Sequence, residues 1–242
     1  MKLLIIRHGD PDYSIDSLTP TGWREAELLA ERMEKLDIKA FYVSPLGRAR
    51  DTISLTLKRL NRDAQVLDWL QEFPAKVHKP DKDEPGIAWD WLPQDWVEED
   101  CFYQKDRWME HPVFQNSDIS AVWQRVTAGL DALLCDHGYA RRGNCYQALC
   151  SNEDTIALFC HFGLECVLLS HLLNISPMPL WHGTCAAPTS VTTLTTEERR
   201  EGIASFRMNS FGDISHLYCA DQEPSFSARF CETYQNFEQR HD

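Results

Sequence analysis

No apolar run in this sequence is long enough to cross a membrane. The longest late stretch, Cys166 to Leu173, is broken by Ser170 and His171 and falls far short of the roughly 20 residues a span requires. Basic residues are also in deficit: 24 Lys and Arg stand against 37 Asp and Glu, a formal net charge of -13. That balance opposes nucleic acid and anionic membranes over most of the surface, so any phosphate site has to be a local basic pocket. Paired cysteine spacings are missing too. The nine cysteines include no zinc-finger or thioredoxin-like pair, and an odd count suits a disulfide framework poorly, so reduced thiols and a cytoplasmic setting are expected. The leading apolar stretch is too short for a secretory leader and runs directly into charge. Internal repeats and low-complexity segments are absent as well. What remains is an ordinary globular composition, 43% hydrophobic and 25% charged over 242 residues, enough for one large core in a single domain.

That domain is organised around its first residues. Leu3-Leu4-Ile5-Ile6 is a continuous apolar run, the mark of a strand buried on both faces, and Arg7-His8-Gly9-Asp10 follows where it ends. Open α/β sheets place their chemistry at that edge. Thr19-Pro20 reads as an N-cap with proline at the first helical position, opening an amphipathic helix through about Leu36. Ala40 to Val43 is a second strand, and Ser44-Pro45 repeats the device for a helix through about Leu60, with Arg48 in its first turn near the positive end of the dipole. Gln65 to Leu67 is a third strand, leading to Leu70-Gln71-Glu72. Residues 74–116 change character: rich in Pro, Asp, Glu and Trp and without a sustained period, they read as a cap insertion over the active edge. Helical spacing resumes from Ile119 to Leu134, and Tyr139 to Asn144 reads as a basic turn. Thr155 to Cys160 is another buried strand, ending in His161-Phe162-Gly163 before a helix through Leu173. Ser190 to Thr196 is a strand, the following charged stretch a hairpin loop, and Ala204 to Met208 its return. The tail from Tyr218 is polar and irregular and carries no assigned role.

Two buried strands distant in sequence thus each end in a histidine with glycine close behind. A parallel sheet can bring such ends together, giving a site of Arg7, His8, Arg48 and His161. With these residues the chain resembles the histidine phosphatase superfamily, the phosphoglycerate-mutase-like fold. The resemblance is carried by Arg7-His8-Gly9, Leu18-Thr19-x-x-Gly22, Ser44-x-Leu46-x-Arg48-Ala49-x-x-Thr52, Leu70-x-Glu72 and the late strand ending in His161, five elements in order. It implies a three-layer α/β/α sandwich with a mostly parallel sheet. It also implies a metal-independent phosphomonoester hydrolase that needs no cofactor and acts on a small phosphorylated substrate. His8 would attack phosphorus to form a phosphohistidine; Arg7, Arg48 and His161 would stabilise the charge on the phosphoryl oxygens; Glu72 would serve as general acid and base. Asp68, Glu84 and Asp90 compete for that last role. Tyr13 and Ser14 in the first loop, and Phe162 with the backbone N–H groups after His161, are candidate substrate contacts.

Two alternatives stay open at this point. A mutase of the family carries a longer patterned loop after Arg-His-Gly; here Asp10 to Leu18 is short and acidic, which favours hydrolysis. A non-catalytic phosphate-binding module would have no use for an acid beside the anion. Lys76, His78, Lys79, Lys82, Lys105 and Arg107 of the insertion are candidates to offset the acidic loop, and His182 reads mainly as a structural histidine that could reach the edge of the site. The tryptophans of the insertion either pack beneath it, cage an aromatic substrate or join two copies in a homodimer.

Overall fold

A computed structural model describes residues 1–241. The leading run forms β1 (Lys2–Arg7), and its side chains alternate between two cores. Leu3 and Ile5 join one cluster, Leu4 and Ile6 the other, and all four are at most 3% exposed. A strand covered on both faces needs apolar residues at every position, which is why the run shows no alternation. Each such side chain contributes about 1.5–3 kcal/mol on burial.

One face of the sheet is covered by α1 (Pro20–Met33) and α2 (Gly47–Leu60), the other by α3 (Ile119–Asp136), α4 (Phe162–Leu173) and α5 (Pro177–Gly183). Between them lie β2 (Ala40–Val43), β3 (Gln65–Val66), β4 (Tyr139–Arg142), β5 (Cys145–Ala148), β6 (Thr155–Cys160), β7 (Val191–Arg200) and β8 (Ile203–Asp213), in the spatial order β3-β2-β6-β1-β7-β8-β5-β4. The β3, β2, β6 and β1 half is parallel, as the α/β/α reading requires, and β7, β8, β5 and β4 extend it antiparallel. α4 is buried over almost its whole circumference and is accordingly apolar at most positions, with Glu165 and Ser170 as buried exceptions.

Three local expectations are corrected. The basic turn at 139–144 is a pair of strands, β4 and β5, closing the sheet's outer edge. The charged stretch after Thr196 is no loop: β7 continues to Arg200 and turns at Glu201-Gly202, Gly202 having a φ of 75°. α2 begins at Gly47 rather than Pro45, with no side-chain cap from its N-cap residue Leu46. The Ser44 hydroxyl accepts from Leu46 N–H at 3.2 Å, ahead of the first helical turn, and lies 2.8 Å from His161 Nε2. Asp16 reaches across from the first loop and accepts from Gly47 N–H at 2.7 Å, a carboxylate at the positive end of the helix. α1 starts as read, with Thr19 accepting from Gly22 N–H at 3.0 Å, a cap contributing about 1 kcal/mol.

All nine cysteines are free among the described residues, and no helix among them is long and apolar enough to cross a membrane.

Candidate active site

Parallel pairing of β1 with β6 sets Arg7 against Cys160 in register, so the next residues on these two strands, His8 and His161, come side by side with ring centroids 5.0 Å apart. β2, paired to the other side of β6, carries Ser44 to His161, and the helix after it carries Arg48 to His8. Thr52, one turn further along α2, fixes the junction: it accepts from Gly9 N–H at 2.9 Å and donates to Arg48 O at 2.7 Å.

His8 is 2% exposed. Its Nδ1 lies 2.7 Å from Gly9 O, and a carbonyl can only accept, so the proton sits on Nδ1 and Nε2 keeps its lone pair. Burial, then the positive charges of Arg7 and Arg48, hold the His8 pKa well below the ordinary histidine value. Arg48 Nε donates to His8 Nε2 at 3.3 Å, and its terminal nitrogen is held by Asp16 at 2.6 Å. Burial pushes the Asp16 carboxyl up, but Gly47 N–H and Arg48 outweigh it and leave the pKa lowered.

Glu72 lies in the same cavity, where its Oε1 accepts from Phe73 N–H at 2.9 Å and Leu164 N–H at 3.0 Å. Burial raises its pKa, and those two N–H groups together with Arg48 and Arg7 only partly offset the rise. The result is a carboxyl displaced toward neutrality, as a proton donor requires. Gly163 makes the approach possible: a Cβ there would stand 2.8 Å from Glu72 Oε1 and 2.8 Å from the Trp89 ring.

The cavity has a volume of about 1260 Å³ and brings together Arg7, His8, Arg48, Glu72, Tyr13 and Phe162. Tyr13 stands at its rim, 70% exposed, with the Arg48 guanidinium 5.4 Å from its ring centroid. Ser14 is not brought in, because its hydroxyl turns to Asp12 at 2.6 Å on the exposed loop. His161 lies outside the cavity lining, fully buried, with Nε2 on Ser44 and Nδ1 without a protein partner; burial, then His8, Arg48 and Arg7, hold its pKa well below the usual value. Asp90 lines the cavity but pairs with Arg240 at 2.9 Å.

The tryptophans divide. Trp89, Trp91 and Trp96 line the cavity, while Trp108 is buried in the core with edge contacts to Phe114 and Trp181. None of the six cationic candidates of the insertion lines the cavity; Lys79 spends its ammonium on the carbonyls of Trp89 and Asp90. His182 does line it, stacked on Trp96 at 4.9 Å, with burial lowering its pKa to about 4.

The C-terminal tail is the part that sequence reasoning missed. Ser225 N–H donates to the buried Glu25 at 3.0 Å, and Arg7 donates to Ser227 Oγ at 3.1 Å and to Ser227 O at 3.3 Å. Phe226, Arg229, Phe230 and Arg240 line the cavity. The one visible signal was an arginine set between two phenylalanines, Arg229 between Phe226 and Phe230.

Fold and site together define an α/β protein with paired histidines and arginines at the carboxyl edge of its parallel strands. The chain belongs to the histidine phosphatase superfamily (branch 1), whose family model matches residues 3–209. It is similar to a 2,3-bisphosphoglycerate-dependent phosphoglycerate mutase of Thermoplasma acidophilum, 36% identical over 74 residues, which cover 26% of this chain and 37% of that relative's length. The phosphoserine phosphatase of Entamoeba histolytica, solved with phosphoserine, shares the fold with a TM-score of 0.59 at 20% identity, over 89% of this chain and 98% of that one. A mycobacterial glucosyl-3-phosphoglycerate phosphatase does so with a TM-score of 0.52 at 18% identity, over 87% and 98%.

Proposed function

We propose that this protein is a phosphomonoester hydrolase that uses its own side chains, without metal or cofactor, and works through a phosphohistidine on His8. The observation that carries the reading is the hydrogen bond from His8 Nδ1 to Gly9 O. It leaves Nε2 unprotonated in the same cavity as a carboxyl whose pKa is raised.

His8 Nε2 attacks phosphorus as the ester P–O bond breaks, and Glu72 gives its proton to the departing oxygen. Arg7 and Arg48 offset the charge on the phosphoryl oxygens. His161, packed against the His8 ring, holds its orientation. In the second half-reaction the Glu72 carboxylate takes a proton from water, which attacks phosphorus; the N–P bond breaks and His8 is regenerated. The net charge of -13 favours a small phosphorylated molecule over nucleic acid or an anionic membrane surface as partner. Both similar solved structures are named as phosphatases, which supports hydrolysis. The mutase relative, matched over a short segment, makes transfer the competing outcome.

Steady-state hydrolysis of 4-nitrophenyl phosphate and of an alkyl phosphate tests the reading. The wild type turns over both, and His8→Ala turns over neither. Glu72→Gln loses on the order of 10²–10⁴ with the alkyl ester; with 4-nitrophenyl phosphate, whose leaving group needs no proton, it keeps a first-turnover burst of nitrophenolate but loses steady-state turnover, because Glu72 also activates the water. A wild type inactive on both, or active only on 3-phosphoglycerate with 2,3-bisphosphoglycerate added, overturns it.

A further inference from the structure

The phosphoryl chemistry assigned above occupies one end of a cavity of about 1260 Å³, larger than the roughly 300–1,000 Å³ that holds a drug-sized ligand. The rest of its wall mixes polar and aliphatic residues with a set of aromatic rings, Trp89, Trp91, Trp96 and Trp181 from the body of the protein and Phe226 and Phe230 from the tail. The tail is pinned there at separate points: Ser225 to Glu25, Ser227 to Arg7, Cys185 Sγ to Ala228 O at 3.5 Å, and Arg240 to Asp90. It lies beyond the residues that match the family model, 3–209.

Charge in this region departs from that of the whole molecule. Arg48 is engaged by Asp16 and Arg240 by Asp90. Arg229 lines the cavity with its guanidinium 4.3 Å from the Phe226 ring centroid, and among the described residues no carboxylate pairs with it. Arg229 is exposed; stacking on the ring orients its guanidinium and leaves its N–H groups available. Of the nearby acids, Asp10 accepts the Thr19 hydroxyl at 2.7 Å, and Glu232 makes no ion pair with Arg229. A cation beside flat apolar side chains, on the same tail segment that Arg7 holds through Ser227, suits a second negative charge on the ligand.

We propose that residues 225–230 form a second subsite in which Arg229 reads an acidic group on the substrate, a phosphomonoester whose body is a flat unsaturated ring system lying along the aromatic part of the cavity wall. The proposal rests on the hydrolase reading and adds the class of substrate to it.

The test compares 2-naphthyl phosphate with 6-carboxy-2-naphthyl phosphate as substrates, and the two corresponding phosphonates by calorimetry. The wild type favours the carboxylated ester in kcat/KM, and the carboxylated phosphonate in affinity, by about tenfold, the scale of a hydrogen bond to a charged group. Arg229→Gln brings both ratios close to one. Arg229→Lys recovers part of the preference, and Arg199→Gln, on the remote turn of β7, keeps the wild-type ratios. Turnover of both esters with a wild-type ratio near one, or a ratio that Arg229→Gln leaves intact, overturns the subsite and spares the hydrolase. If neither ester is turned over, the hydrolase reading fails instead and calorimetry alone decides: a tenfold preference lost in Arg229→Gln upholds the subsite, and equal or absent binding overturns it.

Discussion

Glu165 is 1% exposed, and neither of its carboxylate oxygens has a hydrogen-bond partner. It stands four residues after His161, on the buried helix that follows it. Burial raises its pKa to about 7, the Glu72 charge adds to the rise, and the nearby Thr192 hydroxyl and Arg7 pull it back. A carboxyl with a raised folded-state pKa holds its proton in the native protein after the unfolded chain has released it. Its contribution is therefore fully present below about pH 4.5 and is lost as the pH climbs to about 7. Glu165→Gln removes that dependence, so the stability of the variant relative to wild type should rise by about 3 kcal/mol between pH 4 and 8. His182 and His216, drawn down to about 4 by burial, titrate in the opposite sense but cancel in the difference. Urea denaturation across that range measures it, and a difference constant with pH would refute this account of Glu165. At the same scale, the residues of the site were legible wherever a polar residue ended an apolar run, as His8 and His161 do. Asp16 and Ser44 were not, because Asp16 caps a helix some 30 residues away in sequence and Ser44 serves a histidine on another strand.

At the scale of elements, the site is a set of strand ends made to converge. β1, β6 and β2 could be read directly because burial on both faces leaves them without polar positions. β4 and β5 could not: at the sheet's outer edge their burial is broken, and Arg141 and Arg142 mimic a turn. The far half of β7 escaped for the same reason, its last residues being half-buried or exposed on both sides. Where α4 meets the loop carrying Glu72, the fit depends on a missing side chain. Gly163→Ala would place a methyl 2.8 Å from both Glu72 Oε1 and Trp89, forcing the carboxyl out of place at an overpacking cost of about 1–3 kcal/mol. The variant should stay folded by circular dichroism yet lose about 10² in kcat on an alkyl phosphate, the scale of a misplacement near 1 Å. Full activity would mean that Glu72 needs no such close support.

The whole molecule pairs a conventional sheet with two irregular coverings, residues 74–116 and the tail after β8. Residues 74–116 stood out in the sequence by their changed composition, but the tail did not announce its place, since it has no period and is positioned by groups far back in the chain, among them Glu25 and Arg7. The fold and the His8 end of the cavity were therefore readable from motifs, while the wall that the tail adds to the cavity emerged only in three dimensions. Similarity at 18–20% identity to phosphoserine and glucosyl-3-phosphoglycerate phosphatases carries the fold and leaves the chemistry to the chain's own groups. The central claim about that chemistry is that His8 takes the phosphoryl group covalently. Rapid quenching of the wild type during turnover of a radiolabelled aryl phosphate measures this most directly. The account predicts an acid-labile, base-stable label on the His8 peptide that forms within the first turnover and is absent from His8→Ala. Turnover with no protein-bound label, or a label on a residue other than His8, would contradict it.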